Sequence, residues 1–403
     1  MKIKLIMILA CFFSAPQLFH AQQTLKPLNT AFIRDDNLWI KANQSEERLT
    51  NIGNISSPQW SFDGRRLLYQ KGSSYETKHE VWVYDLKTHS HKKIAENGEN
   101  PKWSPSSHLI AYVDQGSLNV SDLKDFYNVT FGVDDYAWLP DGTGFILSSS
   151  ANLLPSGWTN PVLYKIKLNS SLSSQQSVEN ADEFFRIPKT LSKNQTSIMA
   201  IGASNFSFSP DGKWISFIVS PTASWSMDSN FVCVISIDGA QFEVLDEVIS
   251  HLTSPGWAPG INSLAYIEGG GRIVFGFKNK HLKIKEIPVS QTLTPKNYAE
   301  LAFTWISDDK LAVSRVRETE WSNDIMKQPL PQLYLVSTAN TVQKRLTASG
   351  GNYDPFYIRS AAKLAWYKSI SLTGHRDVWI SNPDGSEAHL WVKNADSLTV
   401  FPK

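Results

Sequence analysis

One pattern recurs along this chain: an aromatic residue, a short turn of Ser, Pro, Asp and Gly, then an alternating apolar strand. It reads Trp60-Ser-Phe-Asp-Gly64 before Leu67-Leu-Tyr69, Trp103-Ser-Pro105 before Leu109-Ile-Ala-Tyr112, Trp138-Leu-Pro-Asp-Gly142 before Phe145-Ile-Leu147, and Phe208-Ser-Pro-Asp-Gly212 before Trp214-Ile-Ser-Phe217. Weaker copies begin at Trp257, Trp305 and Phe356. A repeat of this kind points to an architecture in which each unit packs on its neighbours. It also answers a question of size, because 403 residues exceed what a single hydrophobic core usually supports.

Each copy reads as a β-hairpin. Asp-Gly and Pro-Asp tolerate turn geometry between half-buried strands, and the aromatic supplies the apolar area one blade needs against the next. A second count rests on the apolar strand after each hairpin: Leu38–Ile40, Val81–Tyr84, Leu118–Val120, Leu163–Ile166, Val232–Ile235, Ile273–Phe275, Leu333–Val336 and Val378–Ile380. The first unit, starting at Ala31, lacks an inner strand of its own, and Leu398–Phe401 is spaced to supply it. The expected fold is therefore all-β: a single β-propeller of four-stranded blades, eight in number with seven as the alternative. Its ring is closed by a C-terminal strand completing the N-terminal blade, which removes exposed sheet edges. The interval from Trp138 to Phe208 is twice that from Trp103 to Trp138, which places an insertion there, assigned to the Ser- and Asn-rich stretch at 170–180.

These hairpins, the apolar third strand and the Leu-Thr ending resemble the WD-like repeat of TolB-type propellers over the whole mature chain. The resemblance implies the propeller fold. Its bearing on function is looser, since the repeat occurs in binding proteins, peptidase-associated propellers and some lyases. Two departures from TolB itself stand out: no separate N-terminal α/β domain is expected, and the blade count is eight rather than six.

Lys2 and Lys4, the apolar run Leu5–Phe13 and Ala21 have the layout of a signal peptide over residues 1–21, with the propeller filling 22–403. An alternative takes Cys11 as a lipidated cysteine. Export is expected, to the periplasm in a Gram-negative host and to the medium otherwise. Cys233, the one cysteine beyond the signal, sits in an apolar strand pattern and reads as core. No later apolar run is long enough to span a bilayer. A net charge of +1 with no basic stripe argues against a nucleic-acid partner.

Enzyme signatures are sparse. The sequence has no Gly-x-Ser-x-Gly, His-Glu-x-x-His, Cys-x-x-Cys or P-loop pattern. His89 and His91 form a metal pair on paper, but they lie in a polar turn beside Lys92 and Lys93 and read as surface histidines. The expectation is a monomeric, non-catalytic exported scaffold that binds a protein or peptide, without metal or cofactor. The alternative is a carbohydrate-active or hydrolytic propeller, a lyase or hydrolase, with its site in the central channel.

Two sets of residues are candidates for binding. Long second-to-third-strand loops on a rigid scaffold carry Trp158, Trp225, Trp321, Tyr75 and His375. These aromatics are either platforms for a partner or caps folded back on their own blades. The residue three before each motif aromatic gives Ser57, Asn100, Asp135, Asn205, Ser254 and Tyr353, which either border the channel mouth or serve as ordinary turn chemistry. Trp60, Trp103, Trp138, Trp257 and Trp305 recur at one repeat position and are expected to be structural.

Overall fold

The Ser-x-Asp-Gly turns fold as their chemistry requires. In the first, the Ser61 hydroxyl donates to Asp63 (2.7 Å), and Gly64 takes a left-handed φ of 70° that allows its N–H to reach Ser61 O (3.0 Å). The turn at Ser209–Gly212 repeats each of these contacts. Such turns join the two innermost strands of a blade at one face of the ring.

The computed structural model describes residues 28–401, apart from 73–77, 170, 171, 173–180, 223–228, 250, 251, 253, 271–276, 287, 288, 341 and 371–374. Its strands form eight four-stranded antiparallel sheets, the blades of one propeller. Blades 2 to 8 begin with inner strands Ile55–Trp60, Glu99–Trp103, Asp135–Trp138, Gly202–Phe208, Gly256–Trp257, Tyr298–Ser307 and Asn352–Ile358. Blade 1 is closed as expected: Ser397–Phe401 is its inner strand, with Thr399 opposite Ala31 and Ser397 opposite Ile33. The proposed signal segment lies outside the described residues.

The motif tryptophans stitch neighbouring blades together. Each indole N–H donates to the inner strand of the preceding blade: Trp60 to Thr399 O, Trp103 to Gln59 O, Trp138 to Lys102 O, Trp257 to Ser207 O and Trp305 to Gly256 O, all at 2.9–3.3 Å. A large apolar ring is thus buried with its one polar atom satisfied. Phe208 and Phe356 fill the same position without a donor. The core is divided into apolar clusters between neighbouring blades, and Cys233 lies within the one between blades 4 and 5, fully buried beside Phe217 and Phe231.

Two features differ from the sequence reading. The third strand of blade 6 is His281–Glu286, whereas Ile273–Phe275, to which it was assigned, lies outside the described residues. The long Trp138–Phe208 interval also holds more than the 170–180 stretch, most of which lies outside the described residues. Two additional hairpins occupy it, Leu153–Leu154 with Gly157–Trp158 and Thr190–Lys193 with Thr196–Met199. Among the described residues no helix is long and apolar enough to cross a membrane.

Candidate functional site

The inner strands of four blades share a bulge near their start, where Ser57, Asn100, Asn205 and Asp354 take φ values of 44–58°. Asn and Asp accept this conformation more readily than most residues. That accounts for much of the polarity at these positions. Three of the channel-mouth candidates also meet. Asn100 Nδ2 donates to Asp135 Oδ1 (2.7 Å) and the Asn205 backbone N–H to Asp135 Oδ2 (2.9 Å), so one carboxylate joins blades 3, 4 and 5. Lys102 donates to Tyr136 O (2.6 Å), and burial pushes its pKa below the usual lysine value. Ser57 and Ser254 are exposed elsewhere on the ring, and Tyr353 is buried in the core of blade 8.

Of the loop aromatics, Tyr75 and Trp225 lie outside the described residues. Trp158 is half-buried in the first accessory hairpin, and His375 is exposed beside Arg376, which pairs with Asp354 (2.7 Å). Trp321 stacks on Phe277 of the preceding blade's loop (5.9 Å between centroids) and donates to Asn323 (2.9 Å). Around it the loops of blades 6 and 7 are zipped together by a Phe277–Thr319 bridge, a Lys278–Glu320 ion pair and a bond from Asn279 N–H to Glu318 (3.1 Å). His89 and His91 are committed to tyrosines: His91 to Tyr69 OH (2.9 Å) and Leu49 O (3.0 Å), His89 to Tyr84 OH (3.0 Å).

The richest group of titratable side chains was missed by sequence reasoning. It lines a cleft of about 650 Å³ between blades 5 and 6, on the long-loop face. Glu268 ends the second strand of blade 6 and His281 begins the third, directly opposite in register, with Nδ1 to Oε2 at 3.3 Å. Lys283 sits between Glu268 (3.5 Å) and Asp246 (3.2 Å), and Asp246 also accepts from the buried Tyr266 hydroxyl (2.6 Å). Beside them, Glu247 accepts from the hydroxyls of Thr196 and Ser229. Gly270 passes so close that a Cβ there would lie 2.0 Å from Glu247 Oε1. The hydrogen bond from His281 holds the Glu268 carboxyl below its ordinary pKa, and the same bond raises that of His281. The pair therefore favours imidazolium beside carboxylate. Behind it lies Glu300, fully buried and held by Arg315 Nε (2.8 Å), with burial raising its pKa.

The accessory hairpin Thr190–Met199 forms one wall of this cleft through Lys193 to Thr196, anchored by the buried Leu191 and Ile198. The sequence did hold a signal for the site. Glu268 and His281 bracket the Gly269-Gly270-Gly271 run, and a correct strand alignment would have placed them face to face. Assigning the strand to Ile273–Phe275 hid that pairing.

No known family profile matches the chain. A stretch is 24% identical over 123 residues to the uncharacterized peptidase YuxL of Bacillus subtilis (strain 168), covering 25% of this chain and 18% of that protein. The match thus spans less than a fifth of the curated relative's length. A puromycin-hydrolysing peptidase of Mycobacterium tuberculosis superposes over 86% of this chain and 54% of its own, at 13% identity and a TM-score of 0.52. An oligogalacturonate lyase in complex with manganese matches over 91% of this chain and 85% of its own, at 10% identity and a TM-score of 0.50. TolB of Acinetobacter baumannii shares the propeller more distantly, at 14% identity and a TM-score of 0.40.

The fold is that of a TolB-like propeller, with eight blades. The expectation of a non-catalytic scaffold is corrected: the curated match and two of these three structures are named as enzymes, and the chain carries a cleft lined by carboxylates, a histidine and a lysine that are scattered in sequence. A metal of the kind named for the lyase does not fit that cleft. Among the described residues no three His, Cys, Asp or Glu are placed to hold an ion, and Asp246 and Glu268 are matched by Lys283 and His281.

Proposed function

We propose that this chain is a hydrolytic propeller enzyme whose acid–base centre is the cleft between blades 5 and 6. The observation that carries the reading is the His281–Glu268 pair, placed in one cleft with the hydroxyl-held carboxylate of Glu247. With Nδ1 on Glu268, Nε2 is the nitrogen that carries the transferable proton. His281 gives that proton to the leaving group, while Glu247 takes one from the attacking water. Glu268 positions the imidazole and keeps it charged, and Lys283 and Asp246 fix Glu268 from below. Trp321 is a positioning residue, since it stacks on Phe277, four residues before His281.

Peptides are the first substrates to try, because the curated match is to a peptidase and so is one of the structural matches. Acidic oligosaccharides are the second, favoured by the near-complete mutual coverage with the lyase. Export would place either substrate outside the cytoplasm. The deciding experiment incubates the full chain with a peptide library and with oligogalacturonates and reads products by mass spectrometry. Peptide fragments that carry the added water, lost in His281→Ala and Glu247→Gln, support the reading. Unsaturated sugar products would replace it with elimination, and no product from either set would sink it.

A further inference from the structure

A second cleft, between blades 3 and 4 on the same face, has a different chemistry. It encloses about 550 Å³, within the range of small-ligand sites. Phe131 stands on its rim with 50% of its surface exposed, at the end of the outer strand of blade 3, and Tyr164 lines the opposite side. Between them are the hydroxyls and amides of Ser150, Asn152 and Thr159. The base of the first accessory hairpin is closed here by Thr159 N–H on Asn152 O and Asn152 N–H on the Thr159 hydroxyl, both at 2.8 Å.

Two charged side chains border this cleft. Arg186 is already paired with Glu183 (2.7 Å), and the exposed Asp134 accepts from Ser150, with desolvation raising its carboxyl pKa. An anion would have to displace Glu183 from Arg186 before it could bind there. A sugar ring suits the lining better: its C–H face can lie on the exposed Phe131 while its hydroxyl edge meets the Ser, Thr and Asn groups.

We infer that the cleft between blades 3 and 4 binds a neutral oligosaccharide, at a site separate from the acid–base cleft. The inference does not depend on hydrolysis at blades 5 and 6. It is tested by calorimetric titration of the full chain with cellohexaose, xylohexaose and mannohexaose, beside hexagalacturonate and an uncharged hexapeptide. At least one neutral hexasaccharide should bind, with affinity falling roughly tenfold in Phe131→Ala and again in Asn152→Ala. Phe131 is exposed, so its variant should fold, as circular dichroism will check. Binding should be unchanged in His281→Ala, which separates this site from the other cleft. Binding of none of the neutral sugars would overturn the inference, as would binding that survives Phe131→Ala. Capture of only the peptide or the galacturonate would overturn it too.

Discussion

The two accessory hairpins sit within one stretch of chain, yet they are built on opposite principles. Thr190–Met199 buries Leu191 and Ile198 at 3% exposure each and presents Thr196 to Glu247. The other, which carries Trp158, leaves Leu153 and Leu154 65% and 48% exposed. Their clefts differ in the same way. The first is braced by ion pairs, Glu268 with His281 and Lys283 with Asp246, and the second is lined mostly by hydroxyls, amides and aromatic rings. A propeller's blades are nearly interchangeable, so differences between clefts must come from what is added to the ring and from a few residues at strand ends.

The most severe break should come from behind the braced cleft. Arg315 and Glu300 are an ion pair 3% and 0% exposed, and Arg315 also donates to Gln343. Arg315→Met would leave Glu300 buried without its cation, so thermal or urea unfolding should show a loss of about 3–5 kcal/mol. No substitution of an exposed polar side chain lining the blade 3–4 cleft should approach this.

Next in size is the loss of chemistry itself. His281→Ala should lower turnover of whichever substrate is found by roughly a hundredfold or more, the usual worth of a positioned proton donor, with the fold intact. Because His281 acts as the acid, activity should fall as pH rises through its raised pKa. Linkage has a definite sign here as well. His281's pKa is raised from 6.5, so its contribution to stability is complete below 6.5 and is lost as pH rises through the folded value. Glu268's is lowered from 4.5, so its contribution is complete above 4.5 and is lost as pH falls through the folded value. The pair should be at full strength between these limits, and His281→Asn should remove the dependence on the alkaline side and weaken that on the acid side, where Lys283 still holds Glu268.

Why the ring was legible and this cleft was not follows from the same geometry. Trp60, Trp103 and Trp138 announce blades because each must repeat one packing job and one indole hydrogen bond at one position. Leu398–Phe401 could be assigned to blade 1 because ring closure demands an inner strand there. Asn100, Asp135 and Asn205 were found by the same repeat position, although the carboxylate bridge between them was not foreseen. Glu268, His281, Asp246 and Glu247 obey no repeat. They meet only because the two strands of blade 6 pair in one register and the outer strand of blade 5 packs alongside.

Gly270→Ala probes that packing at a smaller scale. Its Cβ would fall 2.0 Å from Glu247 Oε1, so the carboxylate must turn away from Thr196 and Ser229. Turnover should drop about tenfold or more, as expected for misplacement of a catalytic group, while the melting temperature moves little. An equal loss in a Glu247→Gln background would show that Gly270 acts elsewhere.

Asp134 gives the opposite pH sign to Glu268. Burial raises its pKa from 3.8, so ionising it in the folded chain carries a cost that is absent below 3.8 and sets in as pH rises from there through the folded value. Asp134→Asn should therefore leave acid stability unchanged and raise stability slightly at neutral pH. A loss at neutral pH would mean that the carboxylate has a partner it needs.

The smallest effect tests whether the exposed hairpin is structural at all. Leu153 and Leu154 stand largely in water, and replacing both with Ser removes little buried area, so stability should change by no more than about 0.5 kcal/mol. Leu191→Ala in the other hairpin should cost about 2–4 kcal/mol, because it empties a site packed against Ile187 and Ile198. If the two hairpins instead lose stability equally, the exposed one is bracing its blade, and the contrast between the clefts reduces to their charges. If they separate as expected, the hairpin beside the neutral cleft is free to meet a ligand without risk to the ring.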